Sequence, residues 1–104
     1  MFPEEASFNG LTPAEAERLA LLIEEAAEVQ QIATKILRHG FNSYHPDDPT
    51  RKTNRELLQA ELTDLAAAQL LMLLSKDVQP IDPKDLIFTL SRKARFLHHQ
   101  EVRL

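Results

Sequence analysis

The sequence predicts an all-α protein, an antiparallel bundle of three main helices in a single domain. Three observations carry that expectation. Three helix-start signatures divide the chain. Apolar residues recur at helical spacing over stretches that proline and glycine do not interrupt. No strand alternation stands out, and the two glycines, Gly10 and Gly40, are too few for a turn-dense β-sandwich or a glycine-rich phosphate loop. Length and composition agree: 104 residues, 43% hydrophobic and 27% charged, suit one ordinary globular domain. The absence of cysteine excludes a disulfide scaffold, a thiolate metal site and a cysteine nucleophile. A net charge of −4 argues against a general nucleic-acid binder, so no stable nucleic-acid partner is expected. The start, Met-Phe-Pro-Glu-Glu, lacks the pattern of a secretory signal. The longest low-charge stretch, Leu65 to Ser75, is too short for a bilayer. The expectation is a soluble, cytoplasmic protein with no membrane partner.

Residues 1–11 read as an irregular arm. Thr12-Pro13-Ala14-Glu15 is a capping box with proline at the first helical position, opening helix 1, residues 13–39, which Gly40 would end. Residues 40–52 form a loop, rich in Asn, Ser, Pro and Asp. Thr53-Asn54-Arg55-Glu56 is a second capping box, opening helix 2 over 53–77. Asp82-Pro83 opens helix 3 over 83–98.

Helix 1 predicts one apolar stripe: Leu19, Leu22, Ala26, Val29, Ala33, Ile36 and Leu37. In helix 2 the apolar arc holds Leu57, Leu58, Ala60, Leu65, Ala68, Leu71 and Met72. Its second half, Leu65 to Leu74, is apolar nearly all round. Such a helix needs cover on several sides, which predicts self-association through helix 2, as a homodimer or homotetramer. Glu61 and Asp64 fall near the middle of the helix 2 arc, and Glu25 and Glu28 at the edge of the helix 1 stripe. Packing the two faces should bring these four acids together. Buried carboxylates need basic partners or a cation, and bases are scarce there, Arg18 and Lys35 being the nearest on helix 1. An all-oxygen cluster suits Mg²⁺, with Mn²⁺ as a substitute.

Glu24-Glu25-x-x-Glu28 followed by Glu61-x-x-Asp64 resembles the signature of the MazG-like all-α nucleoside triphosphate pyrophosphohydrolases, over residues 12–78. The compact length resembles the short, single-domain bacterial and phage members. The resemblance implies a four-helix-bundle core completed by oligomerisation. It implies metal ligation by Glu25, Glu28, Glu61 and Asp64, and an auxiliary catalytic role for Glu24. It also implies hydrolysis of nucleoside triphosphates to monophosphate and pyrophosphate by metal-activated water. Two departures are visible. The spacer from Glu28 to Glu61 holds 32 residues, longer than in compact members. Leu21-Leu22-Ile23 stands where phosphoribosyl-ATP pyrophosphohydrolases often carry a lysine, which argues against that activity. A pyrophosphohydrolase restricted to dUTP would fit the same acids, and so would a non-catalytic helical protein that binds a basic partner.

Four cations around the loop, Lys35, Arg38, Lys52 and Arg55, are candidate phosphate contacts. His39 and His45 lack the Glu-x-x-His spacing of a di-iron bundle. In helix 3, Leu86, Ile87, Leu90, Ala94 and Leu97 share one side, and Arg92, Lys93 and Arg95 lie elsewhere.

Overall fold

The computed structural model describes residues 8–101 and shows three α-helices and, among those residues, no strand. They are α1 (Pro13–His39), α2 (Asn54–Leu74) and α3 (Pro83–Ala94). Most of the expected N-terminal arm, residues 1–7, lies outside the described residues, as do residues 102–104.

Side chains written into the sequence start each helix. The Glu15 amide donates to Thr12 Oγ1 (3.1 Å), and the Thr12 amide donates back to Glu15 Oε1 (2.9 Å). Thr53 and Glu56 repeat this reciprocal pair at α2. Asp82 caps α3 by accepting from the Lys84 amide (2.9 Å). Each cap satisfies a donor that the helix leaves open at its first turn. α1 closes at Gly40, with φ 86° and its amide donating to the Ile36 carbonyl (2.7 Å).

α2 stops earlier than the expected 77. Lys76 adopts a left-handed φ of 65°, and its amide donates to the Leu73 carbonyl (3.0 Å). The Asp77 amide donates to the Met72 carbonyl (2.9 Å). This pair is a Schellman closure made without glycine, which is why no glycine signals it. α3 also ends early, at Ala94 rather than His98.

α1 and α2 pack antiparallel, tied at both ends. At one end Arg18 clamps Asp77 with two bonds, Nε to Oδ2 at 2.6 Å and Nη2 to Oδ1 at 3.0 Å. At the other, the loop folds onto the start of α2. The Asn54 amide donates to the Ser43 carbonyl (2.8 Å) and the Arg55 amide to the Phe41 carbonyl (2.9 Å). Asn54 Nδ2 donates to the Gly40 carbonyl (3.0 Å), and Asn54 is only 1% exposed.

The faces that meet follow the expected stripes except at two residues on each helix. On α1 the interior residue is Ile32, while Ala33 is exposed and Leu37 is 88% exposed. The contact face is thus turned toward Glu25 and away from Leu37. On α2, Ala68 and Met72 are buried, whereas Ala60 and Leu71 are exposed. The expected bundle of three is, within one chain, a two-helix hairpin. Among the described residues α3 packs against neither α1 nor α2. The radius of gyration, 18.2 Å, exceeds the roughly 13 Å of a compact chain of this length. α2 as a whole, Glu61 and Asp64 included, is long and apolar enough to cross a membrane by length and composition. Its low-charge segment alone, Leu65 to Ser75, is not.

Replacing Asn54 with alanine removes the donor to Gly40 in a closed environment. The loss should be about 1–3 kcal/mol, read as a lower urea midpoint with an unchanged slope.

Candidate functional site

Four carboxylates meet in the α1–α2 seam. Glu25 and Glu28 stand nearly one turn apart on α1, as do Glu61 and Asp64 on α2. One oxygen from each can be chosen so that all four lie within 4.8 Å of one another. Glu25, Glu28 and Glu61 are half-buried, and Asp64 is exposed. Glu61 therefore occupies the interior face of α2, as the helical wheel expects, and Asp64 its rim rather than its middle.

No base compensates these charges inside the cluster. Arg18, the candidate partner on helix 1, is committed to Asp77. Glu25 Oε2 and Glu61 Oε2 are shielded from solvent and, among the described residues, have no hydrogen-bond partner. Their titration reflects this. Burial pushes the Glu25 carboxyl above its ordinary value, with Glu28, Asp64 and Glu24 adding to the shift. The Glu61 carboxyl is also raised, first by its close approach to the Glu28 carboxyl, then by burial and by the charges of Glu28 and Asp64. Two ionised carboxylates at such range repel and have no hydrogen to share, so the arrangement favours taking up a proton or a cation. Two orphaned oxygens and an all-oxygen donor set fit a hard divalent ion.

Beside the cluster, Glu28 and Glu61 also line a pocket of about 360 Å³ with Gln31, Ile32, Lys35 and Leu57. Lys35 is thus brought to the acids. The other three candidate cations are placed differently. Arg38 lines a separate surface groove with Ala27, Gln30, Gln31 and Thr34. Arg55 lies over the Phe41 ring, 4.3 Å from its centroid. Lys52 is exposed in the loop, close to Asp48, whose carboxyl is held below its usual range mainly by bonds from Thr50. Glu24 is exposed and outside the four-acid group. Gln31 is a pocket residue that sequence reasoning did not single out, and Leu57 was expected only as part of the apolar arc. Gln31 lies one turn beyond Glu28, a spacing that flags it in retrospect.

No family profile, curated protein or solved structure matches this chain.

Carboxyls raised on folding stabilise the fold while protonated. That stability is fully present below the ordinary carboxylate range and is lost as pH rises through the raised values of Glu25 and Glu61. Without divalent ions, melting temperature should fall as pH rises from the ordinary carboxylate range into the raised range of these two groups. Asp77, held low by Arg18, keeps its charge across that window. Millimolar Mg²⁺ or Mn²⁺ should raise the melting temperature, more at the alkaline end where no proton competes. Sodium at matched ionic strength should not reproduce the effect; an equal response would reduce the site to charge screening.

Proposed function

We propose that this chain is a cytoplasmic, Mg²⁺-dependent nucleotide pyrophosphohydrolase of the MazG-like kind. Its substrates would be nucleoside triphosphates, cleaved to monophosphate and pyrophosphate. The observation that carries the reading is the convergence of Glu25, Glu28, Glu61 and Asp64 on one point, two of them with orphaned buried oxygens. The spacing of the acids, resembling that family's motif, supports the same reading.

Glu25, Glu28, Glu61 and Asp64 would hold the ion. When bound, it supplies positive charge to phosphate oxygens and acidifies a water. The chain's own residues complete the arrangement. Lys35 brings a fixed positive charge to the pocket that Glu28 and Glu61 line, where a phosphate would sit. Ile32 and Leu57 form apolar wall in the same pocket. Glu24, next to the cluster and exposed, is available to orient water at its edge. With no cysteine in the chain, attack by water is the consistent chemistry.

The proposed unit is a homodimer or a dimer-built tetramer, with α2 completing a four-helix core. Supporting this, Leu70 and Leu74 on α2 are 52% and 72% exposed, in the half of the helix that is apolar nearly all round. The same exposed surface also suits a non-catalytic interaction protein, whose acids would meet a basic partner. Turnover of nucleotides separates the two readings.

A screen of the common NTPs and dNTPs with Mg²⁺ should show pyrophosphate release, abolished by EDTA. Glu61→Gln and Asp64→Asn should each lower hydrolysis by orders of magnitude. Metal-free stability should hold or rise in Glu61→Gln, because a repelling charge is gone. Parent-like turnover in both variants would remove these residues from the mechanism. In light scattering coupled to size exclusion, the parent should exceed the 11.8 kDa of one chain. Leu70→Lys should yield a smaller species, since a charge in an apolar interface is costly.

A further inference from the structure

A row of residues runs along the site side of α1. Glu24, Glu28, Gln31, Lys35 and Arg38 are four, three, four and three apart, which keeps them within about 80° of the helix circumference. Charge changes sign along the row: two acids, an amide, two cations. Gln31 lines both the pocket beside the acids and the surface groove of about 480 Å³ that reaches Arg38, so the two concavities adjoin. From Glu28, Lys35 stands about 10 Å along the helix axis and Arg38 about 15 Å. Side chains on a helix lean toward its N-terminus, which here is toward the acids.

These two cations are uncommitted. Arg18 is bound to Asp77, and Arg51 and Arg55 lie over the Tyr44 and Phe41 rings. Among the described residues, the side chains of Lys35 and Arg38 have no ion pair, hydrogen bond or ring contact. The positions four residues before them, where an acid would stabilise the helix, hold Gln31 and Thr34. Lys35 and Arg38 stand three apart and repel instead. An anion lying between them relieves that repulsion.

We propose that this row is a track for a polyphosphate chain and that Arg38 reads the chain's length. The inference rests on the nucleotide reading above and deepens it. With one phosphate held at the acids through their ion, the next phosphates run past Gln31 toward Lys35 and then Arg38. Two phosphates come within reach of Lys35. Arg38, about 4.5 Å further along the axis, needs a third. A guanidinium forks onto phosphate oxygens, so Arg38 adds charge-assisted bonds for the longer chain alone. The track therefore favours a nucleoside triphosphate over the diphosphate of the same nucleoside. Arg38 also complements the C-terminal end of the α1 dipole, but that role acts on stability and not on the choice of ligand. Binding is therefore the readout.

Calorimetric titration of the full-length protein in excess Mg²⁺, with inorganic tripolyphosphate and inorganic pyrophosphate as probes, tests the track. The parent should bind tripolyphosphate about tenfold more tightly than pyrophosphate, the worth of one charge-assisted contact. Arg38→Gln should abolish that preference by weakening tripolyphosphate alone, and Arg38→Lys should restore part of it. Lys35→Gln should weaken both probes. Arg92→Gln, the same change of charge on the exposed face of α3, should leave the preference as in the parent. No preference in the parent, equal weakening of both probes in Arg38→Gln, or the same loss in Arg92→Gln would each overturn the length-reading role. Turnover separates this from the enzymatic reading. The expected probe pattern without hydrolysis of any nucleotide would strike the enzyme and leave the track as a binding site. Nucleotide hydrolysis with a triphosphate-to-diphosphate ratio unchanged by Arg38→Gln would strike the track alone.

Discussion

Mutual repulsion of carboxylates across one helix seam is the constraint around which the rest of this structure is arranged. Glu25 and Glu28 on α1 and Glu61 and Asp64 on α2 occupy positions where a simple hairpin would place apolar side chains. The apolar residues buried in the described structure are Ile32, Ala68 and Met72, a small set to oppose that repulsion. The polar ties lie at the ends instead. Arg18 and Asp77 fasten the open end of the hairpin, and Asn54 with its loop carbonyls fastens the closed end. The seam is thus held from its ends while its centre stores a demand for positive charge.

That division of labour gives the site its character. A cluster balanced by internal arginines would be a structural ion-pair network with nothing left to bind. Here Arg18 is spent on Asp77, and Lys35 faces a pocket that is open to a ligand. The carboxyls respond by holding on to protons, Glu25 mainly because it is shielded and Glu61 mainly because Glu28 is so close. A divalent ion would satisfy the same demand without a proton, which is the physical basis of the proposed metal dependence.

Scarce burial has a second consequence. A single chain of 104 residues covers one face of α2 and leaves Leu62, Leu70, Leu71 and Leu74 open. α3, amphipathic and unpacked, has the complementary shortage. Small chains often resolve this by sharing a core between copies. Leu70 and Leu74 lie on the side of α2 away from Glu61, so association through them and ligand binding at the acids can use the same helix without competing for it.

Much was legible in the sequence because it depends on local chemistry. Thr12 with Glu15 and Thr53 with Glu56 mark helix starts, since a cap bonds to amides only two or three residues away. The four acids were legible as well, because helical spacing alone fixes which residues share a face. Only the tertiary structure decided the rest. The end of α2 turns on a left-handed Lys76 that no residue preference announces. The meeting face of α1 turned toward Ile32, exposing Ala33 and Leu37, because the angle at which two helices settle depends on both surfaces together. Arg18 found Asp77, 59 residues away, and Asn54 found Gly40. The rim position of Asp64, the pocket beside Lys35 and the separation of α3 likewise follow from packing, which periodicity within one helix does not encode.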